Sequence, residues 1–352
     1  MHVEGAASPA LIPAITLLVC TYNRSEDLRE LLDTAVAQET GGEFDYEILV
    51  VDNNSTDRTR DVVHTFTNTG RVRYLFEARQ GKSYALNTGL AAARGDLYVI
   101  VDDDFILPRD WVKTIVGALR ERPDLSFVSG KVLPLWMGPV PSWLGPEHWS
   151  AIALADYGDQ SFETNPDRQV CLLACAFRRA HVMEAGGYEG RLGVSASRIG
   201  GVEDLEILQR LWAAGRRGLY LPTISFQHKV QPSRLTRAYH RRWHTDHGRS
   251  YAQLRDADFE RSSTRLWDVP VHVFRGLAAA LVRWTALQLR GRRAEAFLEE
   301  TRIRFFTGFI AERRQQHLAA GGRGLCADLL AAWRSRRRNR QAGRVRRPSA
   351  SL

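Results

Sequence analysis

Short apolar runs alternate with longer amphipathic ones from residue 14 onward. Runs at 15–20, 46–51, 72–76 and 97–101 have strand length, while 27–37, 59–66, 84–94 and 111–119 space their apolar positions for one helical face. A strand is predicted near 127–133, then strands at 170–177 and 218–226 around a helix at 203–213, with Gly186-Gly187 marking a turn. This alternation predicts an α/β domain, a mostly parallel sheet flanked by helices on both faces. Ligands of such sheets gather at the carboxyl ends of strands, so the polar residues directly after each apolar run are where chemistry is expected.

The segment 136–165 is rich in Pro, Trp and Gly without clear periodicity, and reads as a long irregular excursion able to cover a site. Arg, His and Trp become dense after about Arg234, which sets a soft boundary. The expected organisation is a flexible N-terminus (1–13), a catalytic domain (14–234), a helical C-terminal extension (235–330) and a disordered Arg-rich tail (331–352). Between 269 and 290, His272, Arg275, Arg283 and Arg290 fall within an arc of about 80° at 100° per residue. Val273, Phe274, Leu277, Leu281 and Trp284 occupy the rest of this amphipathic helix. Two readings stand: the helix lies in an anionic membrane interface, or it packs against the catalytic domain.

With 352 residues, 44% hydrophobic and 25% charged, the chain is globular in composition, which excludes disorder as a global description. Its net charge of +9 comes almost wholly from eight arginines between Arg334 and Arg347 with no acid among them. The folded body is therefore near neutral, and no specific nucleic-acid partner is inferred; the run is a solvated tail or meets an anionic surface. Cys20, Cys171, Cys175 and Cys326 show neither paired metal spacing nor a dense disulfide framework, which fits a cytoplasmic protein. Neither a secretory signal nor a spanning helix is expected, so membrane contact, on the membrane's inner face, would be peripheral.

Two strand ends and one helix start carry candidate chemistry. Val99-Ile100-Val101 runs into Asp102-Asp103-Asp104, and in an extended chain Asp102 and Asp104 share one side. Two such carboxylates suit a hard divalent ion that is also liganded by diphosphate oxygens, although surface turns also collect Asp. Asp52, closing the run 46–51, is placed to accept hydrogen bonds from a base or ribose, with a turn or helix cap as the plain alternative. Gly200-Gly201-Val202-Glu203-Asp204 opens a helix, where Asp204 is a cap or a general base. Gly81-Lys82-Ser83 imitates the end of a phosphate-binding P-loop, but Phe76 stands where that motif needs glycine, so a P-loop is rejected.

In order, Cys20-Thr21-Tyr22-Asn23-Arg24, Val51-Asp52-Asn53-Asn54-Ser55, Arg79-Gln80-Gly81-Lys82-Ser83 with Ala85, Asn87 and Gly89, Asp102-Asp103-Asp104, Gly186-Gly187 and Glu203-Asp204 resemble the family 2 glycosyltransferases over roughly 15–237. The resemblance implies the GT-A fold, a Rossmann-like mixed sheet, here with a helical C-terminal extension. It implies a nucleotide-diphospho-sugar donor, a glycan or lipid-linked acceptor, and Mg²⁺ or Mn²⁺. By that resemblance Cys20, Tyr22, Asp52, Arg79 and Asp102 lie at the donor nucleotide, and Asp102 and Asp104 are the metal pair, with Asp104 the more direct ligand and Asp103 pointing away. His228, just after a strand, joins the metal or is a structural histidine. Asp204 takes the acceptor proton in a single-displacement, inverting transfer, with Glu203 as the alternative nearer the acceptor. Gln209-Arg210-Leu211-Trp212 does not reproduce the Gln-x-x-Arg-Trp motif of processive members, so one sugar per encounter is expected. Two rivals remain: a sugar nucleotidyltransferase, which would need a Gly-rich loop after the first strand, and a non-catalytic nucleotide-sugar-binding scaffold, against which the intact Asp102, Asp104 and Asp204 argue.

Overall fold

β1 (Ile15–Thr21) sends Leu17 and Val19 to one face of the sheet and Leu18 to the other, the alternation of a strand covered on both sides. The structure, a computed structural model, describes residues 14–170, 175–194, 198–262 and 264–322. The chain divides into two units, Met1–His240 and Arg241–Leu352, a few residues beyond the boundary expected near Arg234. The expected flexible N-terminus and Arg-rich tail lie outside the described residues, as do Cys171 and Cys326.

In the first unit, α1 (Ser25–Val36), β2 (Tyr46–Asp52), α2 (Thr59–Phe66), β3 (Val72–Phe76), α3 (Lys82–Ala92) and β4 (Leu97–Asp102) follow in alternation. Their strands are parallel in the order β3-β2-β1-β4. Cys20 of β1 is in register with Val51 of β2 and Asp102 of β4, so these strands end together and deliver Thr21, Asp52 and Asp102 to one edge. Then come β5 (Phe105–Ile106), α4 (Trp111–Glu121), β6 (Leu125–Trp136), β7 (Phe162–Thr164), β8 (Ala176–Arg178), α5 (Arg179–Glu184), α6 (Glu203–Ala213) and β9 (Arg217–Val230). β8 runs antiparallel to both β4 and β6, β6 is parallel to β9, and β5 and β7 pair antiparallel with opposite ends of β9. Apolar residues of α1, α2 and α4 fill one face and those of α3 and α6 the other.

Two expectations change. The strand expected to end at Phe226 continues to Val230, so His228 lies within β9 rather than after it, because pairing with β5 and β6 extends it. The irregular stretch holds a 3-10 turn (Pro146–Ile152) and β7, and Trp143 packs edge-on against the buried imidazoles of His148 and His240.

The second unit contains most of α7 (Arg237–Leu254), then α8 (Ala257–Glu260), a hairpin of β10 (Arg265–Leu266) and β11 (Val269–Pro270), α9 (Val271–Leu289) and α10 (Arg293–Ala319). The apolar face expected to meet a membrane turns largely inward: Val273 is buried, Phe274 packs beside it, and Gly276 lies against Phe306 of α10. The packing partner is thus α10, because a neighbouring helix within the unit covers that face. Val282 and Leu289, 70% and 85% exposed, point outward instead, with Leu281.

β6 and β9 shift register between Ser129 and Lys131, and a Cβ on Gly130 would stand 1.8 Å from the Ile224 carbonyl oxygen. Only a hydrogen fits there. Gly130→Ala is therefore expected to lower stability by about 1–3 kcal/mol in urea unfolding at unchanged m-value; an unmoved midpoint would mean that the two strands yield without cost.

Candidate active site

The acidic run does not stay extended. β4 ends at Asp102, Asp103 and Asp104 form a turn, and β5 pairs back onto β9, with Phe105 opposite His228. The Asp104 carbonyl accepts from the Lys229 amide at 2.9 Å. The alternation assumed for Asp102 and Asp104 fails at this turn, and Asp103 and Asp104 are gripped together: Arg24 Nη1 donates to Asp103 Oδ1 at 3.0 Å and to Asp104 Oδ2 at 2.6 Å. Thr21 Oγ1 donates to Asp103 Oδ2 at 2.8 Å, so Asp103 points into the β1 loop, not away. Asp104 Oδ2 also accepts from Arg234 Nη2 at 3.0 Å and lies 3.2 Å from His228 Nε2.

Electrostatics separate these neighbours. Burial favours the neutral form of Asp104, but His228, Arg234 and Arg24 outweigh it and hold the carboxyl well below the usual range. Asp103 is pushed up to about 7 by burial, with Arg24 opposing and the charges of Asp104 and Asp102 adding to the rise.

Asp102 is not drawn to Asp104 and His228; its Oδ1 accepts from Lys82 Nζ at 2.7 Å. Among the described residues no group of three or more His, Cys, Asp or Glu side chains is arranged to hold a metal, so the expected trio reduces to a pair, Asp104 and His228. That pair is a carboxylate oxygen and an imidazole nitrogen converging beside a buried His228 Nδ1 that has no hydrogen-bond partner. A carboxylate with an imidazole fits a divalent ion completed by outside oxygens.

Lys82 is the cation that the rejected P-loop reading passed over. It opens α3, its amide donating to the Val194 carbonyl at 2.9 Å, and its half-buried ammonium lies among carboxylates. Burial opposes the charge, yet Asp102, Asp204 and Glu203 together raise its pKa. Glu203 and Asp204 begin α6, whose N-cap is Val202 without a side-chain cap bond, so Asp204 is not the cap. Its Oδ1 is buried and unpartnered. Burial raises the Asp204 pKa, Lys82 opposes and Asp102 adds; Glu203 is pushed up to about 8 by burial and by Asp204, against Lys82.

A cavity of about 160 Å³ lies between these elements, lined by Cys20, Thr21, Tyr22, Asn53, Gln80, Gly81 and Lys82 with Ala85 and Val194. Tyr22, 39% exposed, presents its ring there. Asp52 is buried, and its two oxygens are taken by the Ser55 amide (2.9 Å) and the Tyr74 hydroxyl (2.8 Å). Its neighbour Asn53 lines the cavity instead and ties the 77–81 loop by accepting from the Gly81 amide at 2.8 Å and donating to the Arg79 carbonyl at 2.6 Å. Arg79 pairs with Glu77 at 2.9 Å and lies over the Tyr84 ring. Arg210 is structural, bonded to Glu206 and to the carbonyls of Ala185 and Gly187.

A parallel half-sheet with its acidic turn folded onto an antiparallel partner is the architecture of the GT-A fold. A mannosyltransferase from Pyrobaculum calidifontis, solved with GDP-Man and Mn²⁺, shares this fold with a TM-score of 0.50 at 23% identity, over 94% of this chain and 82% of that one. Residues 16–138 match the sequence model of Glycosyl transferase family 2. A glucosyl-dolichyl phosphate glucuronosyltransferase of Haloferax volcanii is 25% identical over 227 residues, 61% of this chain and 69% of that protein. A validoxylamine A glucosyltransferase of Streptomyces hygroscopicus subsp. limoneus is 32% identical over 109 residues, 30% of this chain but only 24% of that relative's length.

Cys20 lines the cavity, and burial pushes its thiol up to about 12, Lys82 lowering and Asp102 raising it. Its alkylation at pH 7.5, followed by peptide mass spectrometry, is expected to be roughly a thousandfold slower than that of a free thiol. Modification at a free-thiol rate would show an open, thiolate-stabilising environment instead.

Proposed function

We propose that the chain transfers one glycosyl group from a nucleotide-diphospho-sugar to a hydroxyl of a saccharide or lipid-linked glycan, with inversion. The observation that carries this reading is the convergence of a cation-lined acidic turn and a raised-pKa carboxylate pair on the strand ends beside the cavity. Tyr22 and Asn53 suit the donor's base and ribose, while Asp52 acts by fixing the loop through Ser55 rather than through free oxygens. Arg24, Arg234 and Lys82 supply donors for a diphosphate.

Asp104 and His228 would hold Mg²⁺ or Mn²⁺, with Asp102 held off by Lys82. When bound, the ion supplies Lewis-acid neutralisation of the diphosphate. Asp204 takes the proton of the acceptor hydroxyl as that oxygen bonds to the anomeric carbon. The bond from the anomeric carbon to the diphosphate oxygen breaks, and its electron pair leaves with the nucleotide. The unpartnered Asp204 Oδ1 supports the base role, and the raised pKa gives it greater basicity than a free aspartate. Glu203, lifted to about 8, carries a proton near neutrality, which favours Asp204 over Glu203 as base.

The second unit supports a peripheral membrane role. Among the described residues no helix is long and apolar enough to cross a membrane. α9 carries Leu281, Val282 and Leu289 outward with Arg275, Arg283 and Arg290 close by, a pattern suited to an anionic interface.

Asp204→Asn is expected to lower kcat by about 10²–10⁴ while nucleotide binding persists. The wild-type pH–rate profile should rise with pH along an acid limb lying above the ordinary aspartate value of about 4, because the base form appears only above the raised pKa. Unchanged turnover in that variant would remove Asp204 from the mechanism. In thermal-shift assays with UDP, GDP, CDP and dTDP, one nucleotide should stabilise the chain in the presence of Mn²⁺, by about 2.7 kcal/mol at a hundred times its Kd. Asp104→Ala should abolish that metal dependence; a shift without turnover on any acceptor would favour the scaffold reading. Flotation with anionic liposomes in high salt, which screens the arginines, should be lost in the double variant Val282→Asp and Leu289→Asp. Equal flotation would place the contact elsewhere.

A further inference from the structure

Backbone strain in the second unit gathers at one concavity. Six non-glycine residues among those described have positive φ, and three of them, Arg255 (57°), Trp267 (52°) and Asp268 (59°), line the same cavity of about 510 Å³. Trp267 and Asp268 are the two tip residues of the hairpin joining β10 to β11, a position where Asn-Gly is the usual pair. Arg255 directly follows α7, where a left-handed residue is usually glycine. Left-handed backbone costs each non-glycine residue on the order of 1–2 kcal/mol, and unrelieved strain of this kind concentrates at ligand-binding positions.

The side chains held by that strain form an unbalanced charge cluster. Arg265 donates to Asp268 Oδ1 at 3.2 Å and pairs with Glu260, Arg255 pairs with Asp268, and the buried Arg313 reaches Asp268 Oδ2 at 3.2 Å and also Glu260. Arg314 lies over the Trp267 ring at 5.4 Å from its centroid. Three guanidiniums therefore share two carboxylates, Arg314 adds a fourth positive charge against the ring, and Arg313 Nε stays buried without a partner. The cavity wall adds His317 and Gln316 to Arg255, Arg265 and Trp267. A hairpin staple needs neither the cationic excess nor an indole at the tip.

We infer that this cavity binds an anionic hexose, a sugar phosphate or uronic acid, with the ring against Trp267 and the anion between Arg255 and Arg265. The indole offers an apolar plate to the C–H face of a sugar, Asp268 and Gln316 meet hydroxyls, and the excess positive charge meets one phosphate or carboxylate. The inference is independent of the donor-site reading, because its residues all belong to the second unit.

Calorimetric titration of the full chain with glucose 1-phosphate, glucuronate, glucose and inorganic phosphate tests it. The Lys82→Ala background, which disables the donor cavity, keeps the readout on this site. Both anionic hexoses should bind, with glucose and phosphate each weaker by roughly tenfold or more. Arg255→Gln and Trp267→Leu should each weaken the anionic hexoses by a similar factor, with unchanged far-UV circular dichroism. Arg255→Gln alters a half-exposed side chain and keeps the test valid if Trp267→Leu fails to fold. Absence of binding, equal affinity for inorganic phosphate, or full affinity in a folded Arg255→Gln variant would each overturn the inference.

Discussion

One buried carboxylate oxygen, Asp104 Oδ2, holds the first unit's two halves in register. A carboxylate taken out of water needs compensating partners, and these arrive from far apart in sequence: Arg24 from the loop after β1, His228 from β9 and Arg234 from beyond it. The parallel strands place Arg24, and the antiparallel pairing of β5 with β9 places His228. The cost of burying one charge thus links backbone topology to the geometry of the site. A group that leaves any of these cations unpaired, or adds a second anion, changes the energy of the whole cluster.

The parallel half was legible because its strands are continuous apolar runs, and their polar terminators, Asp52 and Asp102, lie at the predicted edge. The antiparallel half was not: β5 has two residues, too few for any periodic signal, and its pairing with β9 spans most of the domain. That pairing explains two misplacements, the supposed extended alternation of Asp102 and Asp104 and the position of His228 outside a strand. Lys82 was discarded with the P-loop whose spacing it failed to satisfy, although a lysine opening a helix beside strand ends is a phosphate or carboxylate partner in any such sheet. Arg24 stands within the Cys20–Arg24 motif, but nothing in its spacing reveals that its reach ends on Asp103 and Asp104. Arg234 was only a boundary marker in the sequence for the same reason.

Carboxylates within this one unit are sorted by company rather than by residue type. Asp104 is surrounded by cations and is held low; Glu203 and Asp204, buried with one lysine between several acids, are lifted. Lys82 connects the two groups, since it bonds Asp102 directly and acts on Glu203 and Asp204 through space. Divergent pKa values among neighbouring acids fit the proposed roles, because a cation-holding carboxylate must stay charged while a base must be able to accept a proton.

The second unit uses strain where the first uses buried charge. At the β10–β11 tip, asparagine and glycine would adopt the turn at little cost, yet tryptophan and aspartate stand there with an arginine of the same backbone class facing the same cavity. Asp268 has a structural reason to be kept, since Arg255, Arg265 and Arg313 all depend on it. Trp267 has a weaker one: it touches the small core of this unit only at its margin, and a cation, Arg314, lies over its ring. A residue that costs backbone energy and returns limited packing is retained for what its exposed surface can hold, and an indole beside surplus guanidiniums holds a ring bearing negative charge.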